Sequence, residues 1–250
     1  MLRGRIYSRP ARLETLEALA QARLPDTLDL ILPYLANPDP VLRLAAARAG
    51  ARVARGEGVW RLGEALLRAK LPRGALLEVV LLMRERALPL AHFLLVRGGP
   101  AERWVALEAI GRLRLRYLAK RVPPFLEDPD PELRSAALRA LWHLRYRPKR
   151  REVALLASLR AEQEFLRLQA ARLLGLYRED WARQALWRAL YDPSFYVRRA
   201  AAEGLRRQDF TLLAKAAREH PDPYGRAMAF QVMREAVWAL SPGSTSSTSS

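Results

Sequence analysis

Eight arginines recur along the chain at a nearly constant interval, and that period constrains the fold more than any other feature. They are Arg12, Arg43, Arg73, Arg103, Arg134, Arg167, Arg198 and Arg226, with spacings of 31, 30, 30, 31, 33, 31 and 28 residues. Around four of them the local sequence follows one pattern: DPVLRLAAARAG at Arg43, DPELRSAALRAL at Arg134, EFLRLQAARLLG at Arg167 and SFYVRRAAAEGL at Arg198. Each copy reads as a turn, an apolar residue, the arginine, two variable positions, then small or apolar residues. Self-similarity at such a period marks a stack of supersecondary units, each too small to close a core alone.

The units should be helix pairs. Ala, Leu and Arg dominate while β-branched residues are scarce, a mixture that favours helices over sheets. Asp39-Pro40, Asp130-Pro131 and Asp222-Pro223 each offer an N-cap followed by proline at the first helical position; Gly99-Pro100 does so more weakly. The second helix of each unit therefore starts just before its arginine. Shorter amphipathic segments precede it, for example 27–36, 59–70, 151–160 and 181–190. Pro123-Pro124 should kink or end the first helix of the fifth unit, and residues 56–58 form a looser turn. The expected organisation is a basic segment over 1–9, an all-α, right-handed α-solenoid of about eight two-helix repeats over 10–240, and a disordered Ser/Thr-rich tail over 241–250.

The motif resembles the HEAT-like repeat family, in its short bacterial form. Asp192, Val197-Arg198 and Ala201-Ala202 carry the likeness, as do Asp130, Leu133-Arg134 and Ala137-Leu138, with Ala170-Ala171 and Leu174-Gly175 supplying the ending. The resemblance covers about residues 10 to 238. It implies a structural ladder along the turns, built here from Asp39, Arg43, Arg103, Asp128, Asp130, Arg134, Arg167, Asp192 and Arg198. It leaves function open, since such solenoids serve many purposes.

In related solenoids the second helices line the concave side. The position five after each motif arginine reads Glu17, Arg48, Glu78, Glu108, Arg139, Arg172, Glu203 and Gln231, a ladder of mixed sign. A groove for a nucleic-acid backbone should be more uniformly basic, so the expected partner of this face is a protein. The candidate contact residues are Trp104, Glu108 and Arg112 on the fourth unit, Arg139, Trp142, His143 and Tyr146 on the fifth, and Arg172 on the sixth. Exposed Trp, Tyr and Arg together have the composition of binding hot spots. The alternative is that Trp104 and Trp142 pack between adjacent helices.

The net charge is +17, and 39 of the 43 basic residues are Arg, with only four Lys, a bias resembling thermophile-like, GC-rich composition. Much of the excess follows the second helices: Arg112, Arg114, Arg116, Lys120 and Arg121 after one, Arg145, Arg147, Lys149, Arg150 and Arg151 after the next. They should form a basic edge able to meet nucleic acid or an anionic membrane surface. Cations also stabilise helix C-termini without any partner.

Catalytic signals are poor. The chain has no cysteine, and His92, His143 and His220 lack ligand spacing, so no metal site and no cofactor are expected. Trp104 and Glu108 are similar to the Trp and Asp of alkylpurine DNA glycosylases built on HEAT-like repeats, but Glu replaces Asp. The expectation is a non-catalytic adaptor or scaffold, with a basic nucleic-acid binder, glycosylase-like or not, as the alternative. No long apolar run follows the N-terminus or approaches the ~20 residues that span a bilayer. A cytoplasmic location is therefore expected, with peripheral membrane attachment as a variant.

Overall fold

The computed structural model describes residues 8–22 and 26–238, which are helical with no strand among them. Most of the 1–9 segment and the whole 241–250 tail lie outside the described residues.

The chain divides into two compact units, 1–122 and 123–250. In the first, α1 (Arg9–Ala22), α3 (Pro40–Val53), α5 (Arg73–Leu82) and α7 (Pro100–Arg112) pack on one another in order. These are second helices, each carrying a motif arginine. Alternating with them are α2 (Thr27–Ile31) continued by a 3-10 turn over Leu32–Ala36, α4 (Gly58–Ala69) and α6 (Ala87–Arg97). The second unit repeats the plan: α8 (Pro131–Leu144), α10 (Glu164–Leu174), α12 (Phe195–Gln208) and α14 (Pro223–Trp238) stack, with α9 (Glu152–Leu159), α11 (Asp180–Ala189) and α13 (Phe210–Glu219) between them.

The motif sequence explains the packing. In α3, Leu42, Ala46, Ala47, Ala49, Gly50 and Ala51 are buried; in α8, Leu133, Ala136, Ala137, Leu138, Ala140 and Leu141. Small side chains at these positions let neighbouring helices approach closely, and the i, i+3, i+4, i+7 spacing keeps them on one face. Pro123-Pro124 has a stronger effect than a kink. Where a first helix of the fifth repeat would lie, the chain makes two 3-10 segments, Arg116–Arg121 and Pro123–Glu127. The missing proline N–H groups and the restricted residue before each proline remove the α-helical ladder there.

Candidate functional site

The turns before the second helices are closed structures. Asn37, Asp128 and Asp192 each accept the backbone N–H two residues on, at 2.9 Å. Asp39 and Asp130 then cap their helices by accepting from Val41 and Glu132 at 2.8 Å. Five motif arginines finish the turn in one way. Nη1 of Arg43, Arg134, Arg167, Arg198 and Arg226 donates to the two carbonyls six and five residues back, at 2.6–3.0 Å. Backbone acceptors that helix geometry leaves open are thereby satisfied. The ladder is thus built mainly on carbonyls; a carboxylate joins it where Arg167 meets Asp192.

Two motif arginines depart from this. For Arg103, the carbonyls six and five residues back belong to Arg97, the last residue of α6, and to Gly98, and among the described residues Arg103 donates to neither; its Nε is buried without a partner, as are those of Arg43 and Arg198. Arg103 therefore does not belong to the carbonyl ladder expected from the repeat. Arg73 keeps the burial register, with Leu76, Leu77, Val79 and Val80 buried, but α5 begins at Arg73 itself. The carbonyls behind it lie within α4.

Arg73 instead places its guanidinium 4.1 Å from the centre of the Trp104 ring. Trp104 is half-buried under it, a cation–π contact inside the first unit. Glu108, expected to face a groove, is 6% exposed and lies 3.4 Å from Arg112. This stripe is engaged within the chain because it falls where α5 and α7 meet. The mixed-sign ladder behaves similarly: Arg48 grips Glu78 with two bonds of 2.8 and 2.9 Å. That pair raises the Arg48 pKa and lowers that of Glu78, in each case chiefly through the side-chain hydrogen bond.

In the second unit, Trp142 is half-buried, its indole N–H lacks an acceptor, and its ring meets His143 edge-on at 4.9 Å. His143 is exposed and Tyr146 half-buried. Arg139 donates to Ser135 Oγ at 3.0 Å, and Arg172 approaches Gln169 at 3.5 Å.

The basic residues differ in their commitments. Arg114, Arg116, Lys120 and Arg121 in the first unit, and Arg145, Lys149 and Arg150 in the second, are exposed. Among the described residues, none of these seven makes an ion pair. Arg147 has Glu179 at 3.9 Å, and Arg151 is the exception to the open pattern, half-buried and paired with Glu127 at 2.5 Å. Three of them, Arg114, Arg145 and Arg150, have left-handed backbones, with φ of 51°, 54° and 57°.

No protein-family model matches the chain, and no curated protein matches it. Among solved structures, YibA of Escherichia coli superposes with a TM-score of 0.55 at 13% identity, covering 92% of this chain and 89% of that one. The fold is that of HEAT-like repeats. An archaeal HEAT-like repeats protein from Thermococcus onnurineus NA1 aligns over 94% of this chain and 99% of its own with a TM-score of 0.42 and 15% identity. An engineered protein covers 84% of this chain and 96% of its own, with a TM-score of 0.46 and 16% identity. At 13% identity the likeness to YibA extends to the fold alone.

Two residues of the HEAT-like turns escaped sequence reasoning. His220 is fully buried in the last turn, Nε2 lying 3.2 Å from the Trp187 carbonyl. Tyr177 is buried and donates to the Pro148 carbonyl at 2.9 Å, which pins the loop carrying Arg147, Lys149 and Arg150. Burial is the main force raising the Tyr177 pKa. Tyr177 lies 29 residues from Pro148, one repeat away, so only the repeat period could have pointed to the contact. No described helix is long and apolar enough to cross a membrane.

Proposed function

We propose that this HEAT-like repeat scaffold binds a nucleic-acid backbone through the cations that follow its second helices. The observation carrying this reading is that seven of these cations, Arg147 and Arg151 excepted, are exposed without carboxylate partners while the Trp104 and Glu108 stripe is engaged inside the chain. Guanidinium groups match phosphate oxygens in pairs, and Arg outnumbers Lys here by 39 to four. A net charge of +17 adds long-range attraction to such a partner. A protein partner gripped through the Trp104 stripe would first have to displace Arg73 from the ring.

The test is competition. A fluorescent duplex bound to the full chain should be displaced by unlabelled duplex far better than by an acidic polypeptide of equal charge. Equal displacement by the two would argue for general polyanion adhesion, and no duplex binding would return the protein partner to first place.

A further inference from the structure

The ends of three second helices that stack in the second unit carry four arginines. Arg206 and Arg207 lie in the last turn of α12, Arg172 in the last turn of α10, and Arg145 caps α8. One carboxylate, Glu203, pairs with Arg207, and it is already shared: Oε1 accepts from Arg199 at 3.2 Å and Oε2 from Arg207 Nη2 at 3.2 Å. The other terminal nitrogen of Arg207, Nη1, is buried and has no hydrogen-bond partner.

Two backbone features hold this arrangement. A Cβ on Gly175 would come within 2.9 Å of the Gly204 Cα and 3.4 Å of Arg207 Nη1. The glycine pair therefore lets the ends of α10 and α12, with their cations, come together. Arg145 sits at φ 54°, a left-handed position that suits glycine and strains other L-residues. The helix dipole favours a cation at a C-terminus, but it does not account for four arginines at the ends of three stacked helices where the one carboxylate bonded to Arg207, Glu203, is already shared with Arg199. Electrostatics agree: burial pushes the Arg207 pKa down, Glu203 opposes this, and Arg145, Arg206 and Arg172 push it further down.

We infer that Arg145, Arg172, Arg206 and Arg207 form a phosphate-binding site, suited to the oxygens of a phosphate monoester or of a backbone phosphodiester. Such an anion would accept from the exposed guanidinium groups of Arg145 and Arg206 and would offset the mutual repulsion of the four cations. The inference rests on the proposed nucleic-acid reading only through Arg145, because free phosphate could occupy the cluster whatever the exposed edges bind.

The experiment is thermal unfolding of the full chain in inorganic phosphate and in chloride at matched pH and ionic strength. Phosphate at about ten times its Kd should raise the midpoint by about 3–5 °C. Arg206→Gln, at an exposed position, and Arg207→Gln should remove that increment, whereas Arg218→Gln on α13 should keep it. A duplex without terminal phosphates that competes with phosphate would identify the source as the backbone; one that does not compete would identify a monoester. Equal midpoints in phosphate and chloride, or an undiminished increment in Arg206→Gln, would overturn the site. Duplex binding through Arg147, Lys149 and Arg150 would survive that result, so the two proposals fail separately.

Discussion

Arg167 and Asp192, 25 residues apart, are joined by two charge-assisted bonds, Nε to Oδ2 at 2.7 Å and Nη2 to Oδ1 at 3.1 Å. Asp192 also accepts from the Ser194 N–H, and its carbonyl accepts from Arg198. One side chain thus ties the turn of one repeat to the turn of the next, and Asp192 raises the Arg167 pKa chiefly through that hydrogen bond. Both side chains are largely buried. Asp192→Ala should therefore lower stability by about 2–3 kcal/mol, since a charge-assisted pair is broken and Arg167 keeps only its carbonyl bonds. Urea unfolding followed by circular dichroism measures it, and a loss under about 0.5 kcal/mol, the range of ordinary surface substitutions, would mean the link is decorative.

The carbonyl clamp gives a paired prediction. Arg134→Ala should cost roughly 1–3 kcal/mol, because Nη1 serves the Asp128 and Pro129 carbonyls together. Arg103→Ala should cost clearly less, because Arg103 clamps nothing. Equal losses in the two variants would show that the arginines stabilise by packing of their stems alone.

Most of the repeat plan was legible in the sequence, and the physical reason is visible in the turns. Asp39 and Asp130 cap their helices as the Asp-Pro pairs suggest, and the small residues after Arg43 and Arg134 are the buried ones. The period says which residues share a helix face, but not how far each helix extends. That is why Arg73 and Arg103 looked equivalent to Arg134, although α5 starts late and α6 ends late. It also could not show that Glu108 would be covered, since burial there depends on which helix lies against α7. The left-handed backbones of Arg114 and Arg145 left no trace, because sequence rules place glycine at such positions.

Acid should weaken the Arg48–Glu78 link. The Glu78 pKa is lower folded than unfolded, so its contribution is present above the ordinary carboxylate range near pH ~4.3 and is lost as pH falls through the lower folded value. Glu78→Gln should reduce stability slightly at neutral pH, by well under about 1 kcal/mol for so exposed a pair, and leave it unchanged in strong acid. Unfolding curves at neutral and acidic pH check the sign: a variant penalty that grows on acidification would contradict it.

Tyr177→Phe should cost about 1 kcal/mol, the worth of its bond to the Pro148 carbonyl. Amide exchange in the 145–151 loop should rise with it. Unchanged exchange there would mean that Tyr177 does not hold the basic loop.

The most direct test of the functional account is duplex affinity measured as a function of salt for the wild type, for the triple variant Arg147→Glu, Lys149→Glu, Arg150→Glu, and for Trp104→Ala. Fluorescence anisotropy with one short labelled duplex suffices. For the wild type, log affinity should fall linearly with log salt, by about 0.9 for each phosphate neutralised. The triple variant should bind weakly and with a shallower slope, having lost up to three such contacts, while Trp104→Ala should match the wild type. A salt-independent wild type, a triple variant with unchanged affinity and slope, or a Trp104→Ala protein that no longer binds would contradict the account.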